Sequence, residues 1–367
     1  MKLVQNSFAQ LSINYPNLSH NFRYFREKLN TTTKLLILIK ANSYGHGAVE
    51  FAKAMEKEGA DYFGVAHPIE GVELRKGGLT NTPILILTAG VDSFEEIVKY
   101  NLEPSIPNID ALQKFQAYLE QNNIERYPVH IKLDTGMHRL GFMENELPQL
   151  LEFLKEESRI EVKSIFSHLA AADDPQHNEF TLSQIELYQK LSKQILDILP
   201  YKPIRHILNS SGIERFTEYQ MDMVRLGIGI YGISAVDSNL VKPAASLICK
   251  ILQIKELEPK DGTVGYGRRG SIESHKTIAT LPLGYADGIN RRLGRGNAKF
   301  MLNGVLVPTI GNICMDMCMI DISGVKAKVG DIVTIFGENP TASDLAIILE
   351  TIPYEIFTSV SKRVKRL

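Results

Sequence analysis

The stretch Leu35-Leu36-Ile37-Leu38-Ile39-Lys40-Ala41-Asn42-Ser43-Tyr44-Gly45-His46-Gly47 decides how this chain is read. Five aliphatic residues in succession describe a strand buried on both faces. A lysine stands where that strand ends. Burial disfavours its cation and frees a nucleophilic amine, so Lys40 is a candidate to form a Schiff base with a carbonyl. Tyr44, Gly45 and Gly47 follow at once, in a turn where backbone can approach a ligand closely. A lysine that merely marks the solvent boundary of a strand has the same local pattern, so the rest of the chain must decide.

Outward from this stretch, helix-like and strand-like pieces alternate from residue 17 to about 235. Candidate strands are 35–40, 62–66, 84–88, 103–106, 129–134, 163–168, 205–209 and 223–228, eight in all. Amphipathic stretches 48–59, 68–77, 109–122, 146–157 and 178–196 lie between them, and a helix over roughly 17–30 precedes the first strand. Repeated βα units favour a parallel sheet, and eight of them close into a (β/α)8 TIM-type barrel. An open doubly wound sheet competes, but no dinucleotide fingerprint is present. After about residue 236 the segments become short, glycine-spaced and β-branched, as in 279–284, 305–311 and 331–337. That pattern predicts a C-terminal all-β domain over 237–367, with 241–257 as its first strand and a short helix at 342–350. The barrel domain is expected over 1–236, with residues 1–14 as candidates to pair with the second domain.

Composition excludes several classes. Among 367 residues the net charge is −1, which gives neither a basic field for nucleic acid nor a polybasic membrane anchor. The N-terminal residues do not read as a signal peptide, and no apolar run reaches membrane-spanning length. Cys249, Cys314 and Cys318 do not form a disulfide framework. Cys314 and Cys318 also lack the spacing and the histidine of a zinc site, so no metal is expected. Buried thiols point to the cytoplasm.

In a βα barrel, function gathers where strands end. Strand one ends at Lys40. Strand five supplies Lys132, Asp134 and then Arg139. Strand six ends at His168, strand seven runs into Asn209-Ser210-Ser211, and strand eight carries Arg225 before Gly227-Ile228-Gly229-Ile230-Tyr231-Gly232. Taken singly, Lys132 and Asp134 could merely alternate with core residues, and His168 could be a satisfied core histidine. Arg225 lies in an apolar strand and needs a partner or an anionic ligand. Together they describe a cationic pocket with backbone donors, suited to a phosphate and a carboxylate.

With these residues in place, the chain resembles the alanine racemase family. The resemblance runs through Ile39–Gly47, Lys132–Gly141, Ser167–Ala170, Val224–Ile228, Gly265-Tyr266-Gly267, Gly284–Gly288, Cys314-Met315-Asp316 and Pro353-Tyr354-Glu355. It implies pyridoxal 5'-phosphate as cofactor, alanine as substrate, and a head-to-tail homodimer that shares its active sites. It also implies D-alanine supply for peptidoglycan in a bacterium. By the resemblance, Lys40 holds the cofactor and acts as one base, and Tyr266 of the partner subunit is the other. Removing a proton from one face of the α-carbon and returning it to the other calls for two opposed bases.

A phenol with a pKa of about 10 is a poor base at neutral pH, and the implied device that supports it is a hydrogen-bonded chain Tyr266, His168, Arg225. The resemblance sets Arg225 against the pyridine nitrogen, which arginine cannot protonate. It places the phosphate among Tyr44, Ser210, Gly227, Ile228 and Tyr354. Arg139 and Met315 bind the substrate carboxylate, Asp316 supports them, and Tyr285 and Arg291 stand at the entrance. Lys132 is the candidate for carbamylation, with a plain pairing to Asp134 as the alternative. His138 departs from the small residue usual beside Arg139, and Lys365 stands where proline is more usual. A decarboxylase of the same architecture would set a carboxylate against the pyridine nitrogen, where this chain has Arg225. A cofactor carrier would not require Tyr266, Met315 and Tyr354. A racemase of broader specificity would differ in pocket size.

Overall fold

The computed structural model of the chain describes residues 9–156 and 158–367. It divides into two compact units, one made of 19–43 and 48–241, the other of 9–18, 44–47 and 242–367.

The first unit holds eight parallel strands: β2 (Lys34–Leu38), β3 (Tyr62–Val65), β4 (Ile84–Ile86), β5 (Glu103–Ile106), β6 (Tyr127–Lys132), β7 (Ile160–Phe166), β8 (Ile204–His206) and β9 (Met223–Leu226). Their order is sequential from β2 to β8, and β9 returns to pair with β2. Backbone bonds Asp222 N to Arg205 O (3.2 Å) and Arg225 N to Leu208 O (3.0 Å) close the ring. The eight-stranded barrel expected from the alternation is therefore present. Its outer helices follow their apolar period. Ile109–Gln121 buries Leu112, Phe115 and Leu119, and its N-terminus is capped by Asn108, whose side chain accepts from Ala111 N at 2.9 Å.

Strand ends fall earlier than the hydrophobic runs suggested. The first strand stops at Leu38, and the chain from Ala41 to Tyr44 turns left-handed, with φ of 51°, 56°, 52° and 50°. Four consecutive non-glycine residues in that region cost about 1–2 kcal/mol each. The run is brought round by Ser43 N donating to Ile39 O (3.0 Å) and Ala48 N donating to Asn42 Oδ1 (2.9 Å).

The second unit is built on a nine-stranded sheet ordered β11-β14-β17-β16-β15-β18-β10-β1-β19. Its strands are β1 (Ala9–Ile13), β10 (Ala245–Lys250), β11 (Gln253–Leu257), β14 (Lys276–Leu281), β15 (Lys299–Leu302), β16 (Val305–Ile310), β17 (Cys318–Asp321), β18 (Ile332–Phe336) and β19 (Lys365–Arg366). A small hairpin, β12 (Thr263–Val264) with β13 (Gly270–Ser271), stands apart from that sheet. The stretch 241–257 is not one strand. It breaks at Ile251-Leu252, where the chain leaves β18 and takes up β14 as its partner. β1 pairs antiparallel with β10 and parallel with β19; residues 1–8 of the candidate pairing segment 1–14 lie outside the described residues. Helices Ala342–Leu349 and Pro353–Thr358 complete the unit. Among the described residues no helix is long and apolar enough to cross a membrane.

Gly45 shows how tightly the lysine turn is held. Its φ is +84°, and a Cβ there would lie 2.2 Å from Phe357 O, which is backbone and cannot rotate away. Gly45→Ala is expected to lower stability by roughly 2–4 kcal/mol, a clash added to a forbidden φ. Urea unfolding checks this, and an unchanged midpoint would refute the account.

Candidate active site

The barrel rim gathers four cations. Lys40 follows β2, Lys132 ends β6, Arg139 lies in the loop after it, and Arg225 lies in β9. Arg225 is the deepest, at 2 % exposure. Its guanidinium donates to Ser167 O (2.6 Å), Ile207 O (2.9 Å) and His206 O (3.3 Å), and to the Nδ1 atoms of His206 (2.8 Å) and His168 (3.2 Å). Every acceptor is neutral. Burial pulls its pKa down to about 10, so it stays a cation at neutral pH.

That cation sets the state of its neighbours. Arginine has no acceptor, so each histidine Nδ1 facing it must carry a lone pair, and His168 and His206 bear their protons on Nε2. Burial, followed by the charge of Arg225, holds both imidazoles well below their usual pKa. Lys132 is pulled down to about 8, by burial first and then by Arg139 and Arg225. Lys40 is lowered by burial and by Arg139, against a smaller opposing pull from Glu70. The rim thus gathers positive charge and two lysines whose pKa values are drawn downward. Asp134 offsets part of that charge at Lys132, and its carboxylate accepts from Gly136 N (3.0 Å) and His138 N (3.1 Å), which favour its ionised form. His138 projects into solvent, with Nδ1 3.5 Å from Asp134 Oδ2.

Ser210 follows β8. Its hydroxyl oxygen accepts from Gly227 N (2.9 Å) and Gly229 N (3.2 Å), so its proton is left to be donated elsewhere. Ile228 opens the tight turn Ile228–Tyr231. Sequence reasoning missed Glu70, which organises the lysine turn. Its Oε1 accepts from Ala41 N (2.6 Å), and its Oε2 accepts from Ala66 N (2.7 Å) and His67 N (3.0 Å). The one legible signal was His67-Pro68-Ile69-Glu70, a helix start with an acid three residues on.

The remaining candidates lie in the second unit. Tyr266, Tyr285, Arg291, Met315 and Asp316 line one open cavity of about 1010 Å³. Tyr266 is 73 % exposed, and its backbone carbonyl is fixed by Asn312 Nδ2 at 2.8 Å. Asp316 Oδ1 accepts from Arg363 Nη2 (2.7 Å), and the same guanidinium grips Asp287 through two bonds of 2.6 and 2.9 Å. Tyr44 and Tyr354 meet with ring centroids 5.7 Å apart, and burial, then Tyr354, raises the pKa of the Tyr44 phenol.

Residues 13–235 match the family description "Alanine racemase, N-terminal domain" and residues 244–367 match "Alanine racemase, C-terminal domain". The chain belongs to the alanine racemase family. It is 38% identical to "Alanine racemase 1" of Clostridium acetobutylicum, over 97% of this chain and 94% of that one. It is 35% identical to the alanine racemase of Methanococcus maripaludis, over 95% of each. Among solved structures, the alanine racemase of Clostridium difficile 630 superposes with a TM-score of 0.91 at 35% identity, covering 99% of this chain and 95% of that one. The Bartonella henselae alanine racemase, described with covalently bound pyridoxal phosphate, superposes with a TM-score of 0.88 at 28% identity, covering 98% and 99%.

Glu70→Ala should destabilise the chain by about 1–2 kcal/mol, because it removes the acceptor of three backbone donors, one of them half-buried and two open to water. Glu70→Gln keeps one oxygen and should cost about half as much. Equal stability of both variants to wild type in urea would show that the carboxylate does not hold the turn.

Proposed function

We propose that this chain interconverts L-alanine and D-alanine with pyridoxal 5'-phosphate held at the barrel rim, and that it works as a homodimer in which Tyr266 of the partner subunit completes each site. The observation that carries the reading is Arg225, a buried guanidinium with only neutral acceptors, at a rim that holds three further cations. That donor set fits the cofactor. A dianionic phosphate and a carboxylate supply the missing negative charge, and the proton of Ser210 has no acceptor inside its own turn.

Lys40 would hold the group through its amine nitrogen. Ser210, Tyr44, Tyr354 and the backbone at Gly227 and Ile228 would take its phosphate. Arg139 would take its phenolic oxygen, and Arg225 would face its ring nitrogen. When bound, the cofactor withdraws electrons from the substrate and so acidifies its Cα–H. The residues of the chain then manage the proton. Lys40, with its lowered pKa, has an unprotonated fraction that can accept the α-proton on one face. Tyr266 of the partner subunit serves the opposite face. His168 carries its proton on Nε2 and can donate there to a phenolate oxygen, which stabilises it. Arg225 stays charged and gives no proton to the ring nitrogen, so negative charge remains close to the α-carbon and reprotonation is favoured over side reactions.

Met315 and Arg139 would orient the substrate carboxylate. Asp316 would brace that turn, and Tyr285 and Arg291 would flank the entrance. Exposed Tyr266, Tyr285, Met315 and Met317 form apolar surface of the kind a subunit interface covers, which supports the dimer. Cys249, Cys314 and Cys318 are free thiols, which suits a reducing compartment, and the cytoplasm is the one we assign. There the product would feed peptidoglycan in a bacterium. Lys132 is proposed as a carbamate: its neutral amine attacks CO2, an N–C bond forms and one proton leaves to solvent.

Purified protein incubated with L-alanine and pyridoxal phosphate should yield D-alanine. Lys40→Ala and Tyr266→Phe should each lose roughly 10²–10⁴-fold in turnover. No D-alanine from wild type, or full activity in Lys40→Ala, would overturn the reading. Arg225→Glu should shift the partition from racemisation toward transamination, scored by pyruvate formed per D-alanine.

The carbamate has its own check. With ¹³C-labelled CO2, one carbamate resonance should appear in wild type and vanish in Lys132→Arg. At fixed dissolved CO2 its intensity should climb as pH rises through about 8, since the neutral amine is the reactive form. A resonance that persists in Lys132→Arg would assign it to another amine.

A further inference from the structure

Beneath the rim, inside the barrel, five side chains from five strands form a continuous hydrogen-bonded row. Arg225 Nη1 lies 2.8 Å from His206 Nδ1, and His206 Nε2 lies 2.8 Å from Ser164 Oγ. Ser164 Oγ lies 2.5 Å from His130 Nδ1, and His130 Nε2 lies 2.8 Å from Glu103 Oε2. Tyr62 Oη then donates to the same Glu103 oxygen at 3.1 Å. His206, Ser164 and His130 are wholly buried, so water cannot substitute for these three, while Glu103 is partly exposed.

The direction of every bond in this row is determined from its ends. Arginine only donates, so His206 Nδ1 accepts and its proton sits on Nε2. That proton goes to Ser164 Oγ. The Ser164 hydroxyl must then donate to His130 Nδ1, which places the proton of His130 on Nε2, aimed at Glu103. At the far end a carboxylate only accepts. Burial alone would raise the Glu103 pKa, but the hydrogen bond and charge interaction with His130, then the bond from Tyr62 and the charge of Lys163, outweigh it and hold the pKa below its usual value. A doubly protonated His130 would send a second donor to Ser164 and leave the hydroxyl proton without an acceptor in a dry site.

We propose that Glu103 is a positioning residue for the racemase site: through His130 and Ser164 it locks His206 in the Nε2–H tautomer, and so keeps a lone pair on the atom that orients Arg225. This rests on the role assigned to Arg225 above. Remove the acceptor at Glu103, and His130 is released to carry its proton on Nδ1. Ser164 is then free to turn its hydroxyl toward His206 Nε2, which opens the Nδ1–H tautomer to His206 and leaves Arg225 alone to oppose it. Two donors would then face each other across the Arg225–His206 contact. The ring of His206 cannot escape by swinging out, because it stacks on Phe166 at 5.0 Å with an interplanar angle of 11°. Strand period explains why the device exists on this wall. His130 lies two residues before Lys132 on β6, and Ser164 two before Phe166 on β7, so each shares the inward face of the residue nearer the rim.

The test is imidazole ¹⁵N spectroscopy on protein labelled at histidine, with and without pyridoxal phosphate, together with turnover. Wild type should show neutral Nε2–H rings for His130 and His206 in both forms. Glu103→Gln keeps a carboxamide oxygen that can accept from both His130 and Tyr62, so it should retain those tautomers and stay within about twofold in kcat. Glu103→Leu should lose the single tautomer at His206 and lose on the order of tenfold in kcat with little change in KM for alanine, the range seen when an outer partner of a site residue is removed. If Glu103→Leu does not fold, Ser164→Ala interrupts the row at its middle and should give the same loss at His206.

A charged or Nδ1–H His206 in wild type would overturn the proposal. So would a Glu103→Gln variant as impaired as Glu103→Leu, or an unaltered His206 when the row is broken. The spectra of cofactor-free protein do not depend on the reaction. A chain that makes no D-alanine but shows the expected tautomers would therefore refute the functional reading and leave the row intact.

Discussion

Arg225 imposes the constraint to which the barrel interior answers. A guanidinium withdrawn from water is expensive unless its donors are all met. Here three carbonyls and two imidazole nitrogens lie within hydrogen-bond reach of its two terminal nitrogens. None of those acceptors is charged, so the hydrogen bonds are satisfied while the charge is left unpaired. A carboxylate beside it would have been the simpler way to stabilise the protein. The charge of Arg225 therefore reaches the rim, where, after burial, it helps to depress Lys132 and His168.

The turn after Lys40 is a second place where the fold carries strain for a purpose. An ordinary helix after β2 would continue right-handed. Four left-handed residues instead reverse the chain within a few ångströms of the lysine. The carboxylate of Glu70 offsets part of that cost by binding the amide of Ala41 on one side and the start of its own helix on the other. The same negative charge also opposes the pull of Arg139 on Lys40. One side chain thus both braces the path of the backbone and opposes the downward shift of the amine.

Much of this was legible in the sequence, because strand alternation and strand ends are local properties. All eight barrel strands stand where hydrophobic runs placed them, although seven of them end one to three residues early. The overrun has a simple cause: buried apolar residues such as Ile39, Leu133, Ile207 and Leu208 continue past the ends of the strands. The stretch 241–257 misled for a different reason. Its apolar pattern continues across Ile251-Leu252, and nothing local records that the strand changes partner there. Glu70, His130, Ser164 and Glu103 were illegible as a set, because their meaning lies in pairings across the barrel. A histidine two residues before Lys132 shares its face, yet period alone cannot reveal that a serine and a glutamate await it on the flanking strands.

The two halves of the interior pose opposite demands that a single cation reconciles. At the rim, chemistry wants lysines that lose a proton readily. Below it, order wants imidazoles that never gain one. Positive charge on Arg225 pushes Lys132, His168 and His206 in the same direction, toward the neutral form. Neutral imidazoles then have one donor and one acceptor nitrogen each, which gives a row of them a direction. A charged imidazole, with two donors, would have none. The carboxylate of Glu103 lies at the far end of that row, separated from the arginine by two imidazoles and a hydroxyl. It can therefore fix the geometry of Arg225 while leaving its charge exposed to the rim, something an adjacent carboxylate could not do.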